Sequence, residues 1–129
     1  MTEKEKMLAG ELYLAETPEL EAAHRRAIEL CEKLNFGRLS DEEREKTVRE
    51  LLGKCGKTVV MGRGFWCDYG ENIEVGENFY VNYDVVILDV CKVKIGDNCL
   101  IAPQVGIYTA AHPLDKEVRA SGLEYGKPV

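Results

Sequence analysis

Aliphatic residues recur every six positions along the second half of the chain, between Ile73 and Ala111. These positions are Val75, Val81, Ile87, Ile95, Ile101 and Ile107. A second apolar series follows four residues after each of them: Phe79, Val85, Cys91, Cys99, Val105 and Ala111. Two extra residues between Ile87 and Ile95 interrupt the count. A period of six fits neither a helix nor an alternating strand, but it is typical of a parallel β-helix built from hexapeptide repeats.

Small residues follow several of the aliphatic positions, at Gly76, Gly96 and Ala102. We expect them at the corners of the coils, because a short side chain avoids clashes where the chain turns. Asn82 occupies the equivalent place after Val81. Asparagine tolerates unusual φ angles, so a turn role is one interpretation of this residue.

Helix signals replace the six-residue period near the N-terminus. Residues 2–14 carry an apolar and a polar side, as in a short amphipathic helix. Thr17 followed by Pro18 predicts the start of a second helix, with threonine as N-cap and proline at the first position. This helix is expected to end near Gly37, which can take a left-handed C-cap.

A third helix is predicted to begin after Ser40, because Ser40 and Glu43 have the spacing of a capping box, and to end at Gly53. The helical segment is expected to cover the end of the β-helix, whose first coil would otherwise expose unpaired backbone. The polar stretch after Ala111 is expected to form a loop. The patterns thus predict three segments: helices over 1–57, coils over 58–111 and a loop over 112–129.

Composition narrows the classes of partner. The chain has 129 residues, enough for one domain, and a formal net charge of −6, which argues against nucleic acid and anionic membrane surfaces as partners. It contains no apolar run of roughly 20 residues and begins without a signal-peptide core, so a cytoplasmic location is expected. Its five cysteines lack a CxxC motif and are expected to be reduced, with Cys91 and Cys99 buried on apolar positions of the repeat.

Several irregular segments resemble one family in the same order along the chain. They are EKEKMLAGELY, CDYGENIEVGENFYVNYDVVILDVC, IGDNCLIAPQVGIYTAAHP and SGLEYGKPV. Together they resemble the maltose and galactoside O-acetyltransferases, a branch of the hexapeptide-repeat acyltransferases, and most of all the maltose enzymes. The resemblance implies a mostly β fold: a left-handed parallel β-helix preceded by an N-terminal α-helical segment.

The resemblance also implies an activity and an assembly. The activity is transfer of an acetyl group from acetyl-CoA, as co-substrate, to a sugar hydroxyl, with maltose or glucose as the expected acceptor. The assembly is a homotrimer whose sites form between neighbouring subunits. No metal is expected: a metal-dependent β-helix enzyme such as a carbonic anhydrase needs several histidines on neighbouring coils, and the repeat region has one.

His112 directly follows the last repeat, and a free imidazole, with a pKa of about 6.5, can act as a general base. The residues alone allow a surface histidine without a role. The match of TAAHP implies that His112 is catalytic and takes the proton of the attacking sugar hydroxyl, without an acyl-enzyme. His24, in AAHRRA, is expected to be a solvated helix residue. Cys91 and Cys99 are rejected as nucleophiles because the repeat buries them.

The resemblance further implies five acceptor-binding residues: Asp68, Tyr69, Asn82, Asp89 and Glu124. Asp89 is expected either to bind a sugar hydroxyl or to orient the histidine. Glu124 is expected either to hold the sugar or to steady the imidazolium. Simpler roles stay open for each: turn residues at Asp68, Tyr69 and Asn82, a corner carboxylate bonded to backbone at Asp89, and a solvated loop side chain at Glu124.

In the family, a segment like GKPV leads into further coils that hold most contacts to coenzyme A and the oxyanion donor. The sequence ends at Val129, before such coils, so no residue is assigned to coenzyme A. The alternative is therefore a truncated, non-catalytic remnant that acts only as a structural or partner-binding β-helix.

Overall fold

Short parallel strands stack into a β-helix behind three helices, as the six-residue period predicts. The structure is a computed structural model that describes residues 1–129. The helices are α1 (Glu3–Leu8), α2 (Pro18–Phe36), α3 (Asp41–Leu51) and α4 (Lys116–Ala120). The strands are β1 (Val59–Met61), β2 (Trp66–Cys67), β3 (Ile73–Val75), β4 (Phe79–Val81), β5 (Val86–Leu88), β6 (Val93–Ile95), β7 (Leu100–Ile101), β8 (Gly106–Tyr108), β9 (Ala110–Ala111) and β10 (Tyr125–Gly126).

Three parallel sheets form the faces of the β-helix. β1, β4 and β7 form the first, β2, β5 and β8 the second, and β3 and β6 the third. Val59 pairs with Phe79 and Ile73 pairs with Val93, so paired residues lie 20 positions apart. One coil therefore consists of three hexads plus the two extra residues noted in the sequence.

The predicted inward positions fill the core. Six of them are almost fully buried: Val75, Phe79, Val81, Val85, Ile87 and Cys91. Cys99, Val105 and Ile107 in the last coil are only partly buried, because they pack against one neighbouring coil. Cys99 is therefore only partly buried, less than predicted.

The corners turn at a different residue from the one predicted. Four non-glycine residues have positive φ: Asn78 (57°), Asp84 (58°), Asn98 (58°) and Gln104 (63°). Each is the third residue after an inward aliphatic, whereas Gly76, Gly96 and Asn82, directly after one, do not have positive φ. A small residue is still needed at Gly76, because an added Cβ would lie 2.9 Å from the backbone nitrogen of Asp97.

The first helix is shorter than predicted. It spans Glu3–Leu8 rather than residues 2–14, and the chain then adopts a left-handed conformation at Gly10 (φ 78°). Thr2 and Glu5 form a reciprocal capping box at its start, which the sequence analysis did not identify.

The second and third helices begin where predicted and differ at their ends. The Thr17 side chain caps α2, but Gly37 at its C-terminus is extended (φ −76°, ψ 154°), so the predicted left-handed cap is wrong. The Ser40 hydroxyl accepts a hydrogen bond from the Glu43 backbone N–H at 3.1 Å, and α3 ends at Leu51, before Gly53.

The helices pack on the first coil, α3 against β1 and α2 against β2. Arg44 joins them, since its guanidinium donates to the Met61 carbonyl at 2.8 and 3.1 Å and to the Leu34 carbonyl at 2.6 Å. Beyond α3, the backbone N–H of Gly53 donates to the Ile73 carbonyl at 3.0 Å. These contacts cover the edge of the first coil.

The stretch 112–129 is more structured than the predicted loop. It contains helix α4, and β10 pairs antiparallel with β9. Tyr13 forms a further antiparallel bridge with Glu124, so the N-terminal segment and this stretch are joined. No helix in the structure combines the length and the apolar composition that crossing a membrane requires.

Candidate active site

Most of the predicted site residues lie at one corner of the β-helix, after the strands of the second sheet. Asp68 and Tyr69 follow β2, Asp89 follows β5, and His112 lies beyond β8 and β9. Asn82 lies instead at the corner between β4 and β5. We call the corner that follows β2, β5 and β8 the second-sheet corner; it comprises residues 68–72, 89–92 and 109–112.

A cleft of about 250 Å³ lies at the second-sheet corner, between the coils and the N-terminal segment. Three of the five predicted acceptor residues line it: Asp68, Tyr69 and Glu124. The other lining residues are Tyr13, Ala15, Glu16, Leu20, Glu21, His24 and Val90. Asn82, Asp89 and His112 do not line it. The cleft thus combines carboxylates, phenols and an imidazole with a small apolar surface.

Asp68 is held at the rim by its backbone. Its N–H donates to Asp89 Oδ1 at 3.0 Å, and its carbonyl oxygen lies 2.8 Å from His24 Nδ1. Burial raises the pKa of the Asp68 carboxyl above its ordinary value, and the nearby His24 opposes this shift. The side chain is half-buried and presents a hydrogen-bond acceptor to the cleft.

His24 is a cleft residue that the sequence analysis missed. It is exposed, as expected of a helix surface, but it is not simply solvated. Because a carbonyl oxygen only accepts hydrogen bonds, Nδ1 donates to Asp68 and Nε2 is the ring nitrogen left for a ligand. The ring also packs edge-on against Tyr69, with centroids 6.2 Å apart. His24 lies four residues after Leu20 on the same helix face, but this spacing alone gives no indication of a cleft.

Two tyrosines form the inner wall. Tyr69 and Tyr13 are almost fully buried, and burial raises the pKa of both phenols well above the ordinary range, so they remain protonated donors. The Tyr13 hydroxyl lies 3.4 Å from Glu124 Oε2, and the backbones of these two residues exchange hydrogen bonds of 2.9 and 3.1 Å. Glu124 is therefore fixed beside the cleft.

Asp89 is fully buried and has a different role from the two expected of it. Its carboxylate accepts hydrogen bonds from the backbone N–H groups of Asp68 (3.0 Å), Tyr69 (2.9 Å) and Asn72 (3.3 Å). Burial raises its pKa to about 6, although these bonds oppose the shift. Without exposed surface, and with its oxygens on backbone groups, it shapes the turn that carries Asp68 and Tyr69. This is the backbone-bonded corner role that the sequence also allows.

His112 and Asn82 complete the predicted set. The His112 imidazole is exposed, makes no side-chain hydrogen bond and directly follows β9, so it is free to exchange a proton with a bound group. Asn82 is half-buried, and its Oδ1 accepts from the Tyr83 backbone N–H at 2.8 Å. Because the two residues lie at different corners, one chain does not bring them together. No three His, Cys, Asp or Glu side chains converge as metal ligands.

The cleft and fold can be compared with known proteins. Residues 6–56 match a protein-family model, that of the maltose acetyltransferase hexapeptide capping motif. Nodulation protein L of Rhizobium meliloti is 48% identical over 99% of the chain and 70% of its own length. The chain spans about two thirds of the length of the first curated relatives it matches: 65% of one and 70% of another.

Solved structures share the fold. A maltose O-acetyltransferase from Clostridium difficile 630 superposes with a TM-score of 0.95 and 49% identity, over 99% of this chain and 69% of the other. A galactoside acetyltransferase in complex with coenzyme A gives a TM-score of 0.84 and 32% identity, over 99% and 64%. The fold class expected from the sequence, a left-handed parallel β-helix, is confirmed. The chain belongs to the maltose and galactoside O-acetyltransferase family of hexapeptide-repeat acyltransferases.

Proposed function

We propose that this protein transfers an acetyl group from acetyl-CoA to a hydroxyl of a sugar, with maltose or a glucose-like sugar as acceptor. The observation that carries the proposal is the cleft at the second-sheet corner, which the carboxylates of Asp68 and Glu124 line; His112 belongs to the same corner but does not line the cleft. Structural neighbours that include a maltose O-acetyltransferase support the reaction class.

The cleft suits one sugar ring. Its volume of about 250 Å³ is below the roughly 300–1,000 Å³ typical of sites for drug-sized ligands. Asp68 and Glu124 accept hydrogen bonds from sugar hydroxyls, while His24 Nε2 and the neighbouring phenols supply further polar contacts. Leu20 and Val90 provide the apolar surface against which the ring packs. Asp89 holds the turn and stays outside the acceptor contacts.

His112 acts as the general base. Its imidazole takes the proton from the sugar hydroxyl as the oxygen attacks the thioester carbonyl carbon of acetyl-CoA. The tetrahedral intermediate then expels the coenzyme A sulfur, and the imidazolium returns the proton to the departing thiolate. The exposure of the ring supports this role, since both substrates must reach it. The cleft lining contains no serine or cysteine that could form an acyl-enzyme, which supports direct transfer.

The active unit is a homotrimer with sites between neighbouring chains. Asn82 and His112 occupy different corners of one β-helix, so a site that uses both takes them from two copies. Exposed apolar side chains on the first sheet, Val60, Tyr80 and Leu100, support association with another copy. Light scattering should give three times the 14.5 kDa chain mass; a monomer would count against this assembly.

The reaction is tested by incubating the protein with acetyl-CoA and maltose and identifying the products by chromatography and mass spectrometry. Acetylated maltose should form with the wild type and disappear with His112→Ala. Thiol reagents for released coenzyme A are avoided, because the partly exposed Cys55 and Cys99 could react as well. Absence of acetylated sugar from a folded trimer would overturn the proposed activity and favour a non-catalytic, partner-binding β-helix.

A further inference from the structure

Two cysteines from separate elements face each other in the hydrophobic core. Cys31 lies on α2 and Cys67 on β2, and their sulfur atoms are 3.9 Å apart. Both are buried, at 0% and 6% exposure. They are 36 positions apart in the sequence, so the packing of α2 on the first coil is what brings them together.

We infer that Cys31 and Cys67 form an oxidation site, at which a peroxide converts the two thiols into a disulfide that joins α2 to β2. The inference stands on the geometry of the pair and does not rest on the proposed acetyl transfer. Disulfide formation requires the sulfurs to approach to about 2.05 Å. Starting from 3.9 Å, rotation of the two side chains, with small shifts of α2, can close this gap.

The chemistry balances with hydrogen peroxide as the oxidant. One cysteine, as thiolate, attacks a peroxide oxygen, which breaks the O–O bond, forms a sulfenic acid and releases water after protonation. The second thiol attacks the sulfenic sulfur, forms the S–S bond and releases a second water. Two thiols are oxidised and one peroxide is reduced. Peroxide is small enough to reach a buried pair more easily than a bulky disulfide reagent does.

The pair is better placed for this step than the other cysteines. The hydrogen bond shared with Cys67 lowers the pKa of the Cys31 thiol, which favours the reactive thiolate. Cys91 instead donates to the Met7 carbonyl, and burial raises its pKa. Cys55 and Cys99 are half-buried, and neither has a thiol partner.

The disulfide would fix one wall of the cleft. Cys31 lies two helical turns after His24 on α2, and Cys67 directly precedes Asp68 and Tyr69. A bond between the sulfurs therefore restrains α2 against the strand that leads into the cleft. We expect slower amide hydrogen exchange along α2 in the oxidised protein than in the reduced protein.

The site is tested on the reduced, folded protein. After treatment with dilute hydrogen peroxide, the protein is denatured and alkylated, and its intact mass is measured. Two of the five thiols should be protected, with a mass loss of about 2 Da before alkylation. Chymotrypsin cleaves after Tyr69 and separates Cys67 from Cys91, so the crosslinked peptide should contain Cys31 and Cys67. The melting temperature should rise by roughly 5–10 °C.

Matched variants make the result decisive. Cys31→Ala and Cys67→Ser should each prevent closure, whereas Cys55→Ser and Cys99→Ser should leave it intact; circular dichroism checks that each is folded. The inference is overturned if Cys31 and Cys67 remain fully alkylatable after peroxide treatment. It is equally overturned if the crosslinked peptide joins another pair, or if a folded Cys31→Ala still loses two thiols.

Discussion

Replacing Asp89 with alanine removes the acceptor that three backbone N–H groups share. Leaving a buried N–H unsatisfied costs about 1–3 kcal/mol. The bonds from Asp68 and Tyr69 are 3.0 and 2.9 Å long, whereas the bond from Asn72 is 3.3 Å and is counted as weak. We therefore expect Asp89→Ala to lower the free energy of unfolding by about 3–5 kcal/mol, measured by urea denaturation at about pH 4, where the protonated carboxyl makes its full contribution.

Asp89→Asn tests the charge separately from the shape. Burial raises the folded-state pKa of Asp89 to about 6, above its unfolded value, so its contribution to stability is complete below about pH 4 and is lost as the pH rises through 6. Asparagine cannot ionise. The stability of the wild type relative to Asp89→Asn should therefore fall by up to about 3 kcal/mol between pH 4 and pH 7.

Asp97→Ala is the matched control. The Asp97 carboxylate also accepts from a corner backbone N–H, that of Glu77 at 2.8 Å, but the pair is exposed and water can replace the bond. Its loss should cost at most about 1 kcal/mol. Two results would refute the reasoning: a cost for Asp89→Ala as small as that of Asp97→Ala, or a difference between wild type and Asp89→Asn that does not change with pH.

Three further pairs of substitutions test the fold through thermal or urea unfolding. Gln104→Gly should stabilise by about 0.5–1 kcal/mol, because Gln104 has a φ of 63°, and Gln104→Val should destabilise by about 1–2 kcal/mol; the opposite order would contradict the corner geometry. Ser40→Ala should cost about 1 kcal/mol through loss of the bond from the Glu43 N–H, while Ser40→Asp should keep most of the stability; equal losses would argue against capping. Ile87→Ala should cost about 2–5 kcal/mol because Ile87 is fully buried, whereas Leu114→Ala, at a fully exposed position, should cost much less, and similar costs would contradict the burial pattern.

The coils could be predicted because burial imposes a strict period on the sequence. The aliphatic residue of each hexad, such as Val81 or Ile87, must point inward, so the six-residue spacing is visible in the sequence. The corner conformation leaves a weaker trace. The left-handed residues include Gln104, which has no preference for positive φ, so only the structure identifies the third position after the aliphatic as the turning point.

The candidate site could be predicted only where local motifs mark its residues. Asp68, Tyr69 and Glu124 were identified from motifs and do line one cleft, although their role as acceptor ligands remains a prediction. His24 was missed because its cleft partner is the carbonyl of Asp68, 44 positions away, and no local pattern encodes such a contact. Asp89 carries the same motif signal as a ligand would, and only its burial identifies it as a structural acceptor.

The helix ends and the final stretch depended on long-range contacts as well. Gly37 is extended rather than left-handed at the end of α2, and helical propensity alone predicted neither this nor the early end of α1. The segment after Ala111 is rich in loop-forming residues, yet β10 pairs with β9 and Glu124 pairs with Tyr13. Pairings of this kind come from the tertiary fold and leave no periodic signal in the sequence.

The most direct test of the central claim compares the two histidines of the chain in steady-state acetyl transfer to maltose, with the sugar concentration varied. If the second-sheet corner binds the sugar and His112 takes its proton, His112→Ala should lower kcat by about 10²–10⁴ with little change in KM for maltose. His24→Ala should instead raise this KM by about tenfold and leave kcat within about threefold, as loss of one acceptor contact predicts. Full kcat in His112→Ala, or a KM unaffected by His24→Ala, would contradict the account.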